Sequence, residues 1–278
     1  MRLFVASGVF VLLALSVPGI VSKLEDNITQ CGDFFFDEKP PVIPGILEDS
    51  VAQNNHYKII CQKYKNKIRF ATLYDTTNKI PVFSAYKYTG TTEFRRPQMP
   101  WMIEPQLDPS GGEMHEPFVK QTRNQDYWID HSDTCTPDAL FSVNHTADRE
   151  TAESTFTLTN SVPQKKGFRD GIWNFVENET KKYMDSNCTD HQNNTVAYVL
   201  TGAVPGNGKV NKRVNIPSHV WMAFCCYNST SWNTWSYKAE NKRHNAVTTI
   251  RLKSLEELQN FLTEKFKKNI TLFNNNCG

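Results

Sequence analysis

Long apolar runs are scarce in this 278-residue chain. One opens it, MRLFVASGVFVLLALSVPGIVS, and no second stretch of spanning length follows. A bilayer-crossing helix needs about 20 consecutive apolar residues, and the run from Leu3 to Val17 is shorter and broken. With Arg2 ahead of it and small residues near Ser22 behind it, residues 1–22 read as a signal peptide. The expectation is a secreted protein with no transmembrane anchor and a single domain over residues 23–278. Charge of one sign is lacking as well, since 31 Lys and Arg against 29 Asp and Glu leave a net +2. The basic pairs Arg95-Arg96, Lys165-Lys166, Lys212-Arg213 and Lys267-Lys268 are scattered. Composition alone therefore offers no dense basic face of the kind committed nucleic-acid binders present. No Cys-x-x-Cys occurs, which removes the usual zinc signature. Internal repeats, long linkers and low-complexity segments are also missing.

Cysteine and N-glycosylation motifs are plentiful. Seven cysteines, at 31, 61, 135, 188, 225, 226 and 277, suit an oxidising compartment. They predict up to three disulfides with Cys135 left over, and an N-terminal arm pinned by Cys31 to Cys61. Asn-x-Ser/Thr stands at Asn27, Asn144, Asn178, Asn187, Asn193, Asn228 and Asn269. That density fits a glycosylated secretory protein.

Residues 23 to about 50 show little regular pattern. Ile68–Tyr74 and Ile80–Tyr88 are rich in β-branched and aromatic residues, with turn-forming Asp75-Thr-Thr-Asn78 between them, and predict a hairpin. Prolines and glycines from Thr89 to Asn144 predict a long loop region, which in a compact domain is more often functional than idle. Apolar runs at Val196–Val204 and Val220–Tyr227 predict buried strands. Ser254 and Glu257 form a capping box ahead of the stripe Leu255, Leu258, Leu262 and Phe266, predicting a final helix. The sum is an α+β domain.

The stretch STFTLTNSVPQKKGFRDGIWNFVE, Ser154 to Glu177, gathers the polar residues of most interest. It predicts a strand over Ser154–Thr159, a loop, and a helix on which Ile172, Trp173, Val176, Thr180 and Tyr183 share a face. Asn160, the helix's first turn and Glu177 would then meet in one pocket.

Together with YKIICQKYKNKIRFATLYDTTNKIPVFSAYKY, TGAVPG and VNIPSHVWMAFCC, this stretch resembles the DNA/RNA non-specific endonuclease family. The likeness runs from about Cys31 to Cys277. It looks strongest to the vertebrate endonuclease domain-containing 1 branch, its fish-type secreted members above all. The resemblance implies a ββα-metal nuclease fold, a central and mostly antiparallel sheet flanked by helices. It also implies a His general base from an Asp-Arg-Gly-His motif, an Asn holding one Mg²⁺ or Mn²⁺, and assisting Arg and Glu residues.

Against that pattern the family His falls on Ala139, or in a second register near Thr136. The metal-holding Asn falls on Arg169, a permanent cation that cannot ligate another. Asn160 and Glu177 match. No intact metal site and no cofactor are expected, with Mg²⁺ or Mn²⁺ relevant only if hydrolysis survives. His131 and His145 flank the altered motif as displaced candidates for the base. Arg169, with Lys165 and Lys166, becomes a candidate holder of phosphate at a helix N-terminus; the alternative is an ion pair from Arg169 to Glu177 or Asp170. Nucleic acid bound through its phosphates, or an unidentified protein, are the expected partners.

Overall fold

The computed structural model describes residues 23–92, 96–108, 119–128, 135–242, 250–252, 254–275 and 277. The proposed signal peptide and His131 lie outside them. An eight-stranded antiparallel sheet dominates. Its strands are β1 (Lys23–Glu25), β4 (Tyr57–Tyr64), β5 (Lys67–Asp75), β6 (Ile80–Tyr88), β9 (Ala197–Val204), β12 (His219–Tyr227), β13 (Trp232–Glu240) and β14 (Ile250–Leu252), adjacent in that order. Three two-stranded ribbons accompany it: β2 (Leu47–Glu48) with β3 (Val51–Ala52), β7 (Cys135–Ala139) with β8 (Ser161–Lys165), and β10 (Gly208–Val210) with β11 (Val214–Ile216). The α-helices are α1 (Asn124–Trp128), α2 (Arg149–Ser154), α3 (Asn174–Asn187) and α4 (Leu255–Phe266).

Both faces of the sheet are covered, and the two-residue period of a strand sorts side chains between them. On β12, Trp221, Ala223 and Cys225 join the layer made by α4 and the N-terminal arm. Val220, Met222, Phe224 and Cys226 join the opposite layer, with Phe168, Trp173, Val176 and Met184 from the α3 side. Consecutive Cys225 and Cys226 therefore point to opposite faces, and each finds a partner there. Cys225 bonds Cys277 and Cys226 bonds Cys188. Cys31 bonds Cys61, pinning the arm as expected, and Cys135 takes part in none of the three bridges.

The hairpin of β5 and β6 forms as predicted. Its turn is fastened by Asp75 Oδ1, which accepts from the amides of Thr77 and Asn78 at 2.8 and 3.0 Å. Ser254 caps α4, accepting from the Glu257 amide at 3.2 Å. Two predictions need correction: the region from Thr89 to Asn144 is not all loop but holds α1 and β7, and Ser154–Thr159 is not a strand. Asp148 caps α2 by accepting from the Thr151 amide at 2.9 Å, so helix runs through Ser154. The Ser154 and Thr155 hydroxyls then donate to Thr151 and Ala152 carbonyls. The alternating threonines that suggest a strand end instead in a 3₁₀ turn, Leu158–Asn160, and the strand begins at Ser161. The helix predicted from Ile172 onward is present. A single π-helical turn, Phe168–Trp173, leads into it. Such turns recur at functional sites because the widened backbone re-aims its side chains.

Candidate active-site cavity

The β7–β8 ribbon, the π turn and the start of α3 close around a polar cavity of ≈ 240 Å³. Arg169, Asp170, Asn174 and Glu177 enter it from the helix side, Asp138 and Ala139 from β7, and Ser142 and Asn144 from the connection that follows. Arg96, Trp101 and Phe156 complete its walls. The ribbon is held rigidly. Asn241 receives the Lys165 amide on Oδ1 at 3.0 Å and donates from Nδ2 to the Pro163 and Pro217 carbonyls.

Arg169 is ion-paired inside the cavity. Its partner is Asp138, with Nε 3.4 Å from Oδ1, rather than the Glu177 or Asp170 weighed from the sequence. Burial pushes the Asp138 carboxyl above the usual carboxylate range, while Arg169 and then Arg96 pull it back. Glu177 is buried, and its Oε2 accepts from Ser142 Oγ at 2.8 Å and Asn144 Nδ2 at 3.4 Å. Burial raises the Glu177 carboxyl well above its ordinary range, and the charge of Asp138 adds to the effect. Two carboxyl groups sharing a low-dielectric space resist ionising together.

His145 does not face the cavity. It is buried, with Nδ1 2.7 Å from the Tyr86 hydroxyl and Nε2 2.9 Å from the Glu177 carbonyl. A carbonyl only accepts, so Nε2 carries the proton and Tyr86 donates to Nδ1. Burial lowers the ring's pKa to about 4. With both nitrogens committed, His145 braces the backbone of Glu177 and is no displaced base. Asn160 is likewise internal. Its Nδ2 donates to the Thr155 and Phe141 carbonyls, and Oδ1 accepts from Ser84 Oγ and the Phe141 amide. It clamps the segment after β7 to the sheet. Ala139 lines the cavity, whereas Thr136, Lys165 and Lys166 do not.

Asp138, Arg96, Trp101 and Phe156 were not singled out in the sequence. Asp138 stood inside the altered motif, and Asn144 was marked only as a glycosylation motif. Phe156 stood inside the Ser154–Glu177 stretch without being given a role, while Arg96 and Trp101 lie outside it and arrive through tertiary packing.

The donor set does not fit a divalent cation. Among the described residues no group of three or more His, Cys, Asp or Glu side chains is placed to hold one. The guanidinium of Arg169, paired with Asp138 in the cavity, would repel a cation at close range.

A large antiparallel sheet backed by helices, with a polar cavity between a strand pair and a helix start, defines the ββα-metal nuclease fold. Within that class, the chain belongs to the DNA/RNA non-specific endonuclease family, whose sequence profile matches residues 136–275. It is 28% identical to the human endonuclease domain-containing 1 protein, over its whole length and 53% of that relative's. The mouse protein of the same name matches to the same extent, so the chain spans about half the length of the curated relatives. The solved structure of EndoG in complex with EndoGI shares the fold, with a TM-score of 0.54 at 16% identity, covering 80% of this chain and 86% of that one.

Proposed function

We propose that this chain is a secreted member of the family that has lost metal-dependent phosphodiester hydrolysis and instead holds phosphate groups of nucleic acids. The observation that carries the reading is Arg169, seated in the cavity against Asp138 at 3.4 Å. Family-type hydrolysis needs a base near neutrality to activate water and a cation to neutralise the leaving oxygen. On the family pattern the base position falls on Ala139, which lines the cavity, and among the described residues the buried His near it, His145, has both nitrogens engaged. A fixed guanidinium supplies the positive charge in place of a metal. It binds a phosphate oxygen by charge-assisted hydrogen bonds without activating water. Contacts of this kind carry no sequence information, so binding is sequence-independent and falls steeply with salt.

The test is incubation of the purified protein with plasmid DNA and RNA in Mg²⁺ or Mn²⁺, beside the double variant Ala139→His/Arg169→Asn. The native protein is expected to bind both polymers at low salt and cut neither. Cutting that copurifies with the native chain and stops with EDTA would sink the reading. Arg169→Gln should abolish most of the binding while leaving the fold intact.

A further inference from the structure

The cavity has a second character that phosphate binding leaves unused. Besides the Arg169–Asp138 pair, Trp101 and Phe156 line it, with ring centroids 5.6 Å apart and planes inclined at 52°. Neither ring is fully buried, so both present surface to the cavity. The wall is fixed by backbone. The Met102 amide donates to the Phe156 carbonyl at 2.7 Å, and the Leu158 amide donates to the Met102 carbonyl at 2.8 Å. Trp101 is thereby strapped beside Phe156, and Asn124 Nδ2 donates to its carbonyl at 3.3 Å. Arg96 lies over the Phe156 ring, Cζ 5.9 Å from its centroid, and reaches the same cavity.

An aromatic face and a guanidinium lining one small cavity match one chemical shape, a planar base joined to a phosphate. Single-stranded nucleic acids are held by this combination, bases stacking on aromatic rings while cations take the backbone. The volume, ≈ 240 Å³, lies below the ~300–1,000 Å³ of drug-sized sites. It suits one nucleotide; a duplex can offer it phosphate only, since its stacked bases leave no free face for Trp101.

Resting on the phosphate-holding role of Arg169 proposed above, we infer that the cavity is a seat for a single nucleotide, its base on Trp101 and its phosphate on Arg169. A free nucleoside monophosphate and the phosphorylated end of a single strand share this chemistry.

Calorimetric titration of the full chain at low salt separates the two halves. The probes are inorganic phosphate, ribose 5-phosphate, adenosine, AMP and a 5′-phosphorylated pentanucleotide. AMP is expected to bind about ten-fold more tightly than ribose 5-phosphate, in the range that stacking one base supplies. Trp101→Leu, which keeps apolar bulk but no stacking face, should erase that margin while leaving ribose 5-phosphate unaffected. Arg169→Gln should weaken every phosphate-bearing probe.

Equal affinities for AMP and ribose 5-phosphate in the native chain would overturn the base seat and leave the phosphate reading standing. Adenosine binding that depends on Trp101, with nothing added by phosphate, would do the reverse. If no probe binds, both readings fall. Pentanucleotide binding at least as tight as AMP assigns the strand end, and exclusion of the pentanucleotide assigns the free nucleotide. Thermal melting of each variant checks that the fold is retained.

Discussion

At the scale of single residues, the cavity is organised by what burial does to acids. Glu177 and Asp138 both have carboxyl groups raised by desolvation, and each raises or is restrained by its charged neighbours. A carboxyl that holds its proton more tightly in the folded state than in the unfolded chain makes stability fall as pH rises above 4.5, the ordinary glutamate value. His145 works the other way. Its folded value near 4 means that acidification from 6.5 protonates the unfolded chain first and costs stability there. Glu177→Gln keeps the hydrogen bond from Ser142 but cannot ionise. Its stability relative to the native chain is expected to grow from pH 5 to pH 8, read as melting temperature against pH. A constant difference across that range would show that Glu177 ionises normally.

The residue scale is also where the sequence was most legible and then least. Arg169, Asn160 and Glu177 stand within a continuous motif and could be read from it. Asn160 matched a site position, yet its four hydrogen bonds are all internal, a fact no spacing encodes. Arg96 and Trp101 lie well upstream of Ser154, where the motif begins, and reach the cavity only through folding.

Elements with an unbroken run or period of apolar residues were the readable ones. The strands β5, β6, β9 and β12 are dense in β-branched and aromatic residues, and α3 repeats its apolar positions every third or fourth residue. β4 and β13 went unassigned because Lys, Gln, Asn and Ser interrupt them. β13 has partly exposed residues over Asn233–Trp235, where one face is wet and the pattern weakens. Ser154–Thr159 misled because alternating threonines suit a strand equally well, and only the Asp148 cap decides for helix.

The same scale explains a glycine in the middle of β9. A Cβ on Gly202 would lie 2.3 Å from the indole of Trp221 and 2.5 Å from the Val82 carbonyl oxygen. Trp221 is itself buried, so neither neighbour can retreat cheaply. Gly202→Ala is expected to destabilise the chain by about 1–3 kcal/mol or more, visible as a lower denaturant midpoint. An unshifted midpoint would mean that the indole repacks without strain.

For the whole molecule, the two layers on either side of the sheet are stapled from one strand. Cys225 reaches the arm-and-α4 face to hold Cys277, and Cys226 reaches the other face to hold Cys188 at the end of α3. Replacing Cys225 and Cys277 together by Ser should cost about 2–4 kcal/mol by releasing a long loop in the unfolded state. Chemical denaturation under non-reducing conditions measures it, and a loss under 1 kcal/mol would assign the C-terminal segment's hold to packing alone.

The three bridges also divide the backbone unequally. They close the intervals 31–61, 188–226 and 225–277, the last two overlapping. A protease that cuts anywhere inside those intervals leaves both products tied by a cystine. One that cuts between 62 and 187 leaves no covalent tie, and that interval holds every residue lining the cavity. Scission in the bridged intervals therefore leaves the molecule covalently joined, while scission in the cavity-lining interval leaves its two halves held by non-covalent contacts alone.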